Sequence, residues 1–97
     1  MRKINALTPA RLSLGGMDID SVHARIEHES AELRARYPHI TDCRSALIQW
    51  DDAGKKRYSL KLDLRWPEHQ TLISGEAMDD AGAAIAAAFA GARQRVA

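Results

Sequence analysis

The chain has 97 residues, with fourteen lysines and arginines against thirteen aspartates and glutamates and a formal net charge of +1. A chain this short makes one domain that buries roughly 60–68% of its unfolded surface, enough for one core and too little for a deep, doubly lined pocket, which argues against an enzyme. The near-neutral balance neither requires nor excludes an RNA partner, so any footprint for one must come from clustering of charge.

Residues 1–10 show no clear period and read as a loose lead, or an extension of a first strand, ahead of a single domain over 11–97. Arg2 and Lys3 precede only Ile4-Asn5-Ala6-Leu7 before Pro9 and Arg11 intervene. Neither a signal-peptide core nor a membrane span can be built there, and a cytoplasmic protein with no membrane partner is expected. A short apolar strand is predicted over about 11–15, broken by Gly15-Gly16. Asp20 or Ser21 can accept the free amide hydrogens of a helix over about 21–36, where Val22, Ile26, Ser30, Leu33 and Tyr37 form one stripe. Pro38 stops it.

Residues 43–50 alternate as a strand, with Cys43, Ser45 and Leu47 on one face and Arg44, Ala46, Ile48 and Trp50 on the other. Asp51-Asp52-Ala53-Gly54 supplies turn chemistry. Tyr58, Leu60, Leu62, Leu64 and Trp66 then alternate with Ser59, Lys61, Asp63 and Arg65 in the clearest strand of the chain. Trp66-Pro67-Glu68-His69 turns it into a strand over about 70–76. Asp79 or Asp80 caps an alanine-rich helix whose stripe is Ala81, Ile85, Phe89 and Ala92 and which ends at Val96. The order β-α-β-β-β-α is that of an α+β, two-layer sandwich, with two helices on one face of a four-stranded sheet.

Catalytic readings fail on spacing. His23 and His28 are five apart and do not share a helix face, and no paired spacing expected of a zinc site is present, so no metal or cofactor is expected. A Cys43 nucleophile with His39 as base is equally poor, because Cys43 falls at the start of a strand whose neighbours point to the core. As the only cysteine, it forms no intrachain disulfide and fits a reducing compartment. Tyr58 and Trp66 share the face of three leucines and read as core, whereas Ile48 and Trp50 share the face of Arg44 and read as an interaction patch.

Several segments carry a resemblance in shared order: Gly16-Met17-Asp18 before the first helix, Ala24-Arg25-Ile26 within it, Ile40-Thr41 followed by Cys43-Arg44, and the run from Ala84-Ile85 to Arg93. In them the chain resembles the short form of the ribosome hibernation-promoting factors and related ribosome-associated translation inhibitors, over about residues 11–96. The resemblance implies binding to the small ribosomal subunit and its 16S rRNA, silencing translation in idle ribosomes under stress. Cations that neutralise rRNA phosphates would then come from three groups: Arg34, Arg36 and Arg44; Lys55, Lys56 and Arg57; and Arg93 with Arg95. One departure stands out. Hibernation factors carry basic residues on the exposed face of the second helix, where this chain has Ala83, Ala86, Ala87, Ala90 and Gly91.

Taken by themselves, arginines at helix ends are ordinary complements to the helix dipole, and Lys55-Lys56-Arg57 beside Asp51 and Asp52 is an ordinary solvated hairpin. Two classes of function follow. A ribosome-binding regulator requires one contiguous basic surface joining Arg34, Arg36, Arg44 and the hairpin. A non-catalytic interaction module or weak homodimer requires scattered cations and a sheet face dominated by Ile48 and Trp50.

Overall fold

The computed structural model describes residues 2–4 and 18–96. Its elements are β1 (Arg2–Ile4), α1 (Ile19–Arg36), β2 (Asp42–Asp52), β3 (Lys55–Trp66), β4 (His69–Ser74) and α2 (Ala81–Val96). The α+β class stands, but the expected four-stranded sandwich is corrected: the antiparallel sheet has three strands, β2-β3-β4. The fourth place, beside β2, is taken only by the three residues of β1, which run parallel to it. That segment falls inside the stretch read as a lead. The strand predicted over 11–15 and the Gly15-Gly16 break lie outside the described residues.

Helix α1 is capped two residues before Asp20 and three before Ser21, the caps expected from sequence. Asp18 is the N-cap, its carboxylate accepting from the Ser21 amide at 2.7 Å, because an oxygen three residues ahead reaches a free first-turn N–H. Its pKa is held below the ordinary aspartate value by that hydrogen bond. Helix α2 is capped by Asp80, which accepts from the Ala83 amide at 2.7 Å.

Both hairpins close with two residues. Ala53 and Gly54 both have positive φ (53° and 84°), the type I′ pattern whose twist matches that of the flanking strands. In the second turn Pro67 sets φ near −65° and Glu68 has φ 66°, a type II pattern. The resulting register sets Trp66 opposite His69.

One face of the sheet carries Cys43, Leu47, Tyr58, Leu60, Leu62, Leu64 and Ile73, all buried. Against them pack Val22, Ile26 and Leu33 of α1 and Ala81, Ala84, Ile85, Ala88, Phe89 and Ala92 of α2, so one apolar layer joins both helices to one face of the sheet. Burying an average side chain of this kind contributes roughly 1.5–3 kcal/mol. Small side chains on α2 let it come close. At Gly75 an added Cβ would lie 2.9 Å from the Leu60 carbonyl oxygen and 3.0 Å from Ala88 Cβ. Beyond Ser74 the chain bulges: Gly75, Glu76 and Ala77 stand against Ser59 and Leu60 before Met78 pairs with Tyr58.

Candidate nucleic-acid interface

Sorting the cations by what already neutralises them separates structural from available charge. Arg44 bonds Asp42 at 2.9 Å, Lys56 bonds Asp51 at 3.0 Å, Arg65 bonds Asp63 at 3.0 Å, and Arg93 reaches Glu29 at 3.5 Å. Arg57 is the most committed. It donates to Asp79 at 2.8 Å and to the Ala77 carbonyl at 3.1 Å, tying the bulged segment to β3. Among the described residues, Arg34, Arg36, Lys55, Lys61 and Arg95 have no carboxylate partner. Lys61 escaped the sequence-based candidates although the alternation of β3 already placed it outward; its ammonium donates only to the Ser74 hydroxyl at 3.2 Å.

The expected contiguous basic surface does not form. Arg34 and Arg36 belong to the helical layer, whereas Arg44 alternates with the core-facing Cys43 and Ser45 and projects from the helix-free face. Lys55 opposes Asp52 at the far end of β2, about 33 Å along the strand from Asp42 at 3.3 Å per residue. Arg36 and Arg93 line a groove of about 640 Å³ between the helices together with Glu29 and Glu32, whose charges oppose a phosphate there. Up to Gly91 the exposed side of α2 carries no charge, as its alanines foretold: Ala86 and Ala90 face solvent, and only Arg93 and Arg95 follow in the last turn.

The helix-free face differs from expectation in its apolar content. Ile48 is partly buried and Trp50 is 38% exposed, while Leu72, which sequence reading passed over, is 69% exposed and dominates. Leu72, Ala46 and the stems of Arg44 and Lys61 line a shallow depression of about 390 Å³. Leu72 escaped because β4 carries few apolar residues, and its period does not say which face is covered.

Four rings meet at the end of the sheet where α1 stops. Tyr37 and His39 stand edge-to-face at 6.2 Å, His39 and Trp66 edge-to-face at 5.6 Å, and Trp66 and His69 tilted at 5.6 Å. The loop after Pro38 is pinned there. Thr41 donates both its amide, at 2.7 Å, and its hydroxyl, at 3.0 Å, to the Arg65 carbonyl, and Arg34 donates to the Thr41 carbonyl at 3.4 Å. Trp66 and Tyr37 also pack partly on the core, as the alternation of β3 and the α1 stripe require.

Among the described residues no group of three His, Cys, Asp or Glu side chains is placed to hold a metal. Cys43 is buried, its Sγ accepts from the Ser30 hydroxyl at 3.3 Å, and burial pushes its thiol above the ordinary range, which suppresses the thiolate. Among the described residues no helix is long and apolar enough to cross a membrane.

The fold these elements define is an α+β domain with two helices over a short antiparallel sheet. Among solved structures it is similar to the crystal structure of the Thermus thermophilus Protein Y N-terminal domain, with a TM-score of 0.63 at 18% identity, covering 98% of this chain and 90% of that one. At that identity the likeness is one of fold. No protein-family model matches the chain, and no curated protein matches it by sequence.

Proposed function

We propose that this domain is a cytoplasmic, non-catalytic ribosome-associated protein that binds rRNA of the small subunit and modulates translation in idle ribosomes. The observation that carries the reading is the likeness of fold to the Protein Y N-terminal domain across 98% of the chain. It coincides with a motif order that resembles the hibernation-promoting factors. Five cations without carboxylate partners are free to meet phosphates at separate points rather than through one patch. The test is sedimentation of small subunits with the purified chain. Association is expected at low potassium chloride and should weaken by about 0.7–0.9 logarithmic units per neutralised phosphate as salt rises. A chain that stays at the top of the gradient at low salt overturns the reading.

A second reading is favoured by Leu72 alone: at 69% exposure, it offers the helix-free face to a second copy of the chain. Light scattering decides it. A weak dimer abolished by Leu72→Lys supports the module, and a monomer at high concentration removes it.

A further inference from the structure

We propose that the ring cluster of Tyr37, His39, Trp66 and His69 is a stacking site for one unpaired RNA base, with the adjoining phosphate held by Arg34. The inference rests on the RNA-binding reading above and deepens it by naming where an unpaired nucleotide sits.

Three features carry it. First, His39 and His69 are exposed, and edge-to-face contact occupies a ring's edge on one partner while leaving other ring faces open to a ligand. Second, the site is held in shape before any ligand arrives. The two-residue Pro67-Glu68 turn sets Trp66 opposite His69, and the paired donations from Thr41 to Arg65 lock the loop bearing His39 against the same strand end. Little ordering entropy is therefore lost on binding. Third, the charge around the rings selects the ligand. Aromatic cages also take organic cations, but Arg34, at the end of α1 and bonded to the Thr41 carbonyl of the same loop, has no carboxylate partner. Glu68, in the turn, is an opposing charge. A ligand with a π face and a negative charge, a nucleotide, satisfies both parts; a cationic side chain satisfies only the rings. Paired A-form RNA hides its base faces, so the site discriminates single strands from duplexes.

The test uses the full chain carrying Trp50→Phe, so that Trp66 is the only fluorescent tryptophan. Short single-stranded oligoadenylate is expected to quench Trp66, and the same strand annealed to oligouridylate is expected not to. His39→Ala with His69→Ala should weaken binding of the single strand by roughly 5- to 150-fold, the range for loss of stacking on one base. His69→Phe, which keeps a ring and removes the imidazole, should retain it. Arg34→Gln should lower the salt slope by about 0.7, the value for one phosphate of a single strand. Thermal melting of each variant separates lost binding from lost folding, and both histidines are exposed, so the variants are expected to melt with the parent. Equal binding of single strand and duplex, or a folded double-alanine variant with parental affinity, overturns the stacking site. If the chain sediments with small subunits while oligoadenylate leaves Trp66 unquenched, the stacking site is overturned and the ribosomal reading stands. Loss of both removes the ribosomal reading as well.

Discussion

Ala53 occupies the left-handed region at φ 53°, where a Cβ crowds the following carbonyl at a cost of roughly 1–2 kcal/mol. The hairpin imposes this conformation because a type I′ turn needs positive φ at both central residues, and only the second of them here is glycine. Ala53→Gly is therefore expected to stabilise the domain by about 0.5–1 kcal/mol, seen as a higher urea midpoint at unchanged slope. At Gly75 the reverse holds. A Cβ there would lie 2.9 Å from the backbone oxygen of Leu60 and 3.0 Å from Ala88, so either the helix or the strand must move. Gly75→Ala should cost about 1–3 kcal/mol in the same measurement.

Strand β3 organises the elements around it. It is hydrogen-bonded along both edges, it buries Leu60, Leu62 and Leu64 beneath the helices, and Arg57 and Asp63 on its other face hold neighbouring segments. The Arg65 guanidinium, and after it the Gln70 amide, hydrogen-bond Asp63 and hold its carboxyl below the ordinary aspartate value of 3.8. A carboxylate whose pKa is lower folded than unfolded adds stability that is complete above the unfolded value and disappears as pH falls through the folded one. Stability should thus fall with acidification below about pH 4, and Asp63→Asn should flatten that part of the profile in acid titration followed by circular dichroism. The basic hairpin divides along the same strand. Lys55→Ala with Lys56→Ala removes exposed charge and should leave stability within about 0.5 kcal/mol. Arg57→Ala should cost about 1–2 kcal/mol, because it unpins the segment carrying Ala77 and Asp79, and calorimetric melting distinguishes the two.

For the molecule as a whole, distribution of charge decides more than its amount. The chain is almost neutral, and among the described residues Arg25, Arg44, Lys56, Arg57, Arg65 and Arg93 are committed to carboxylates. If binding to small subunits relies on the uncommitted groups, removing Lys55 and Lys61 should weaken co-sedimentation at moderate salt, while Arg44→Ala, whose charge Asp42 already neutralises, should change it little. Equal losses from the two changes would show that the local ion pairs do not decide which cations meet RNA.

What the sequence determined by itself is local. The apolar stripes of both helices, the alternation of β3, the stop at Pro38, a cap at Asp79 or Asp80 and the run of alanines along α2 follow from period and propensity, which act over a few residues. The Asp18 cap was missed by a few residues because several polar side chains in a row can each accept a first-turn amide, and backbone path selects among them. Only the tertiary structure decided the rest. The number of full strands depends on which segments find hydrogen-bonding partners, and here the three residues of β1, inside the stretch read as a lead, take the place beside β2. Which cations remain available depends on the carboxylates that cross-strand register and helix packing bring beside them, as Asp79 is brought to Arg57 from 22 residues away. The same holds for Tyr37, His39, Trp66 and His69: their types and exposure can be read singly, but their meeting needs α1, its loop and the β3–β4 hairpin to end at one place, and no local period encodes that coincidence.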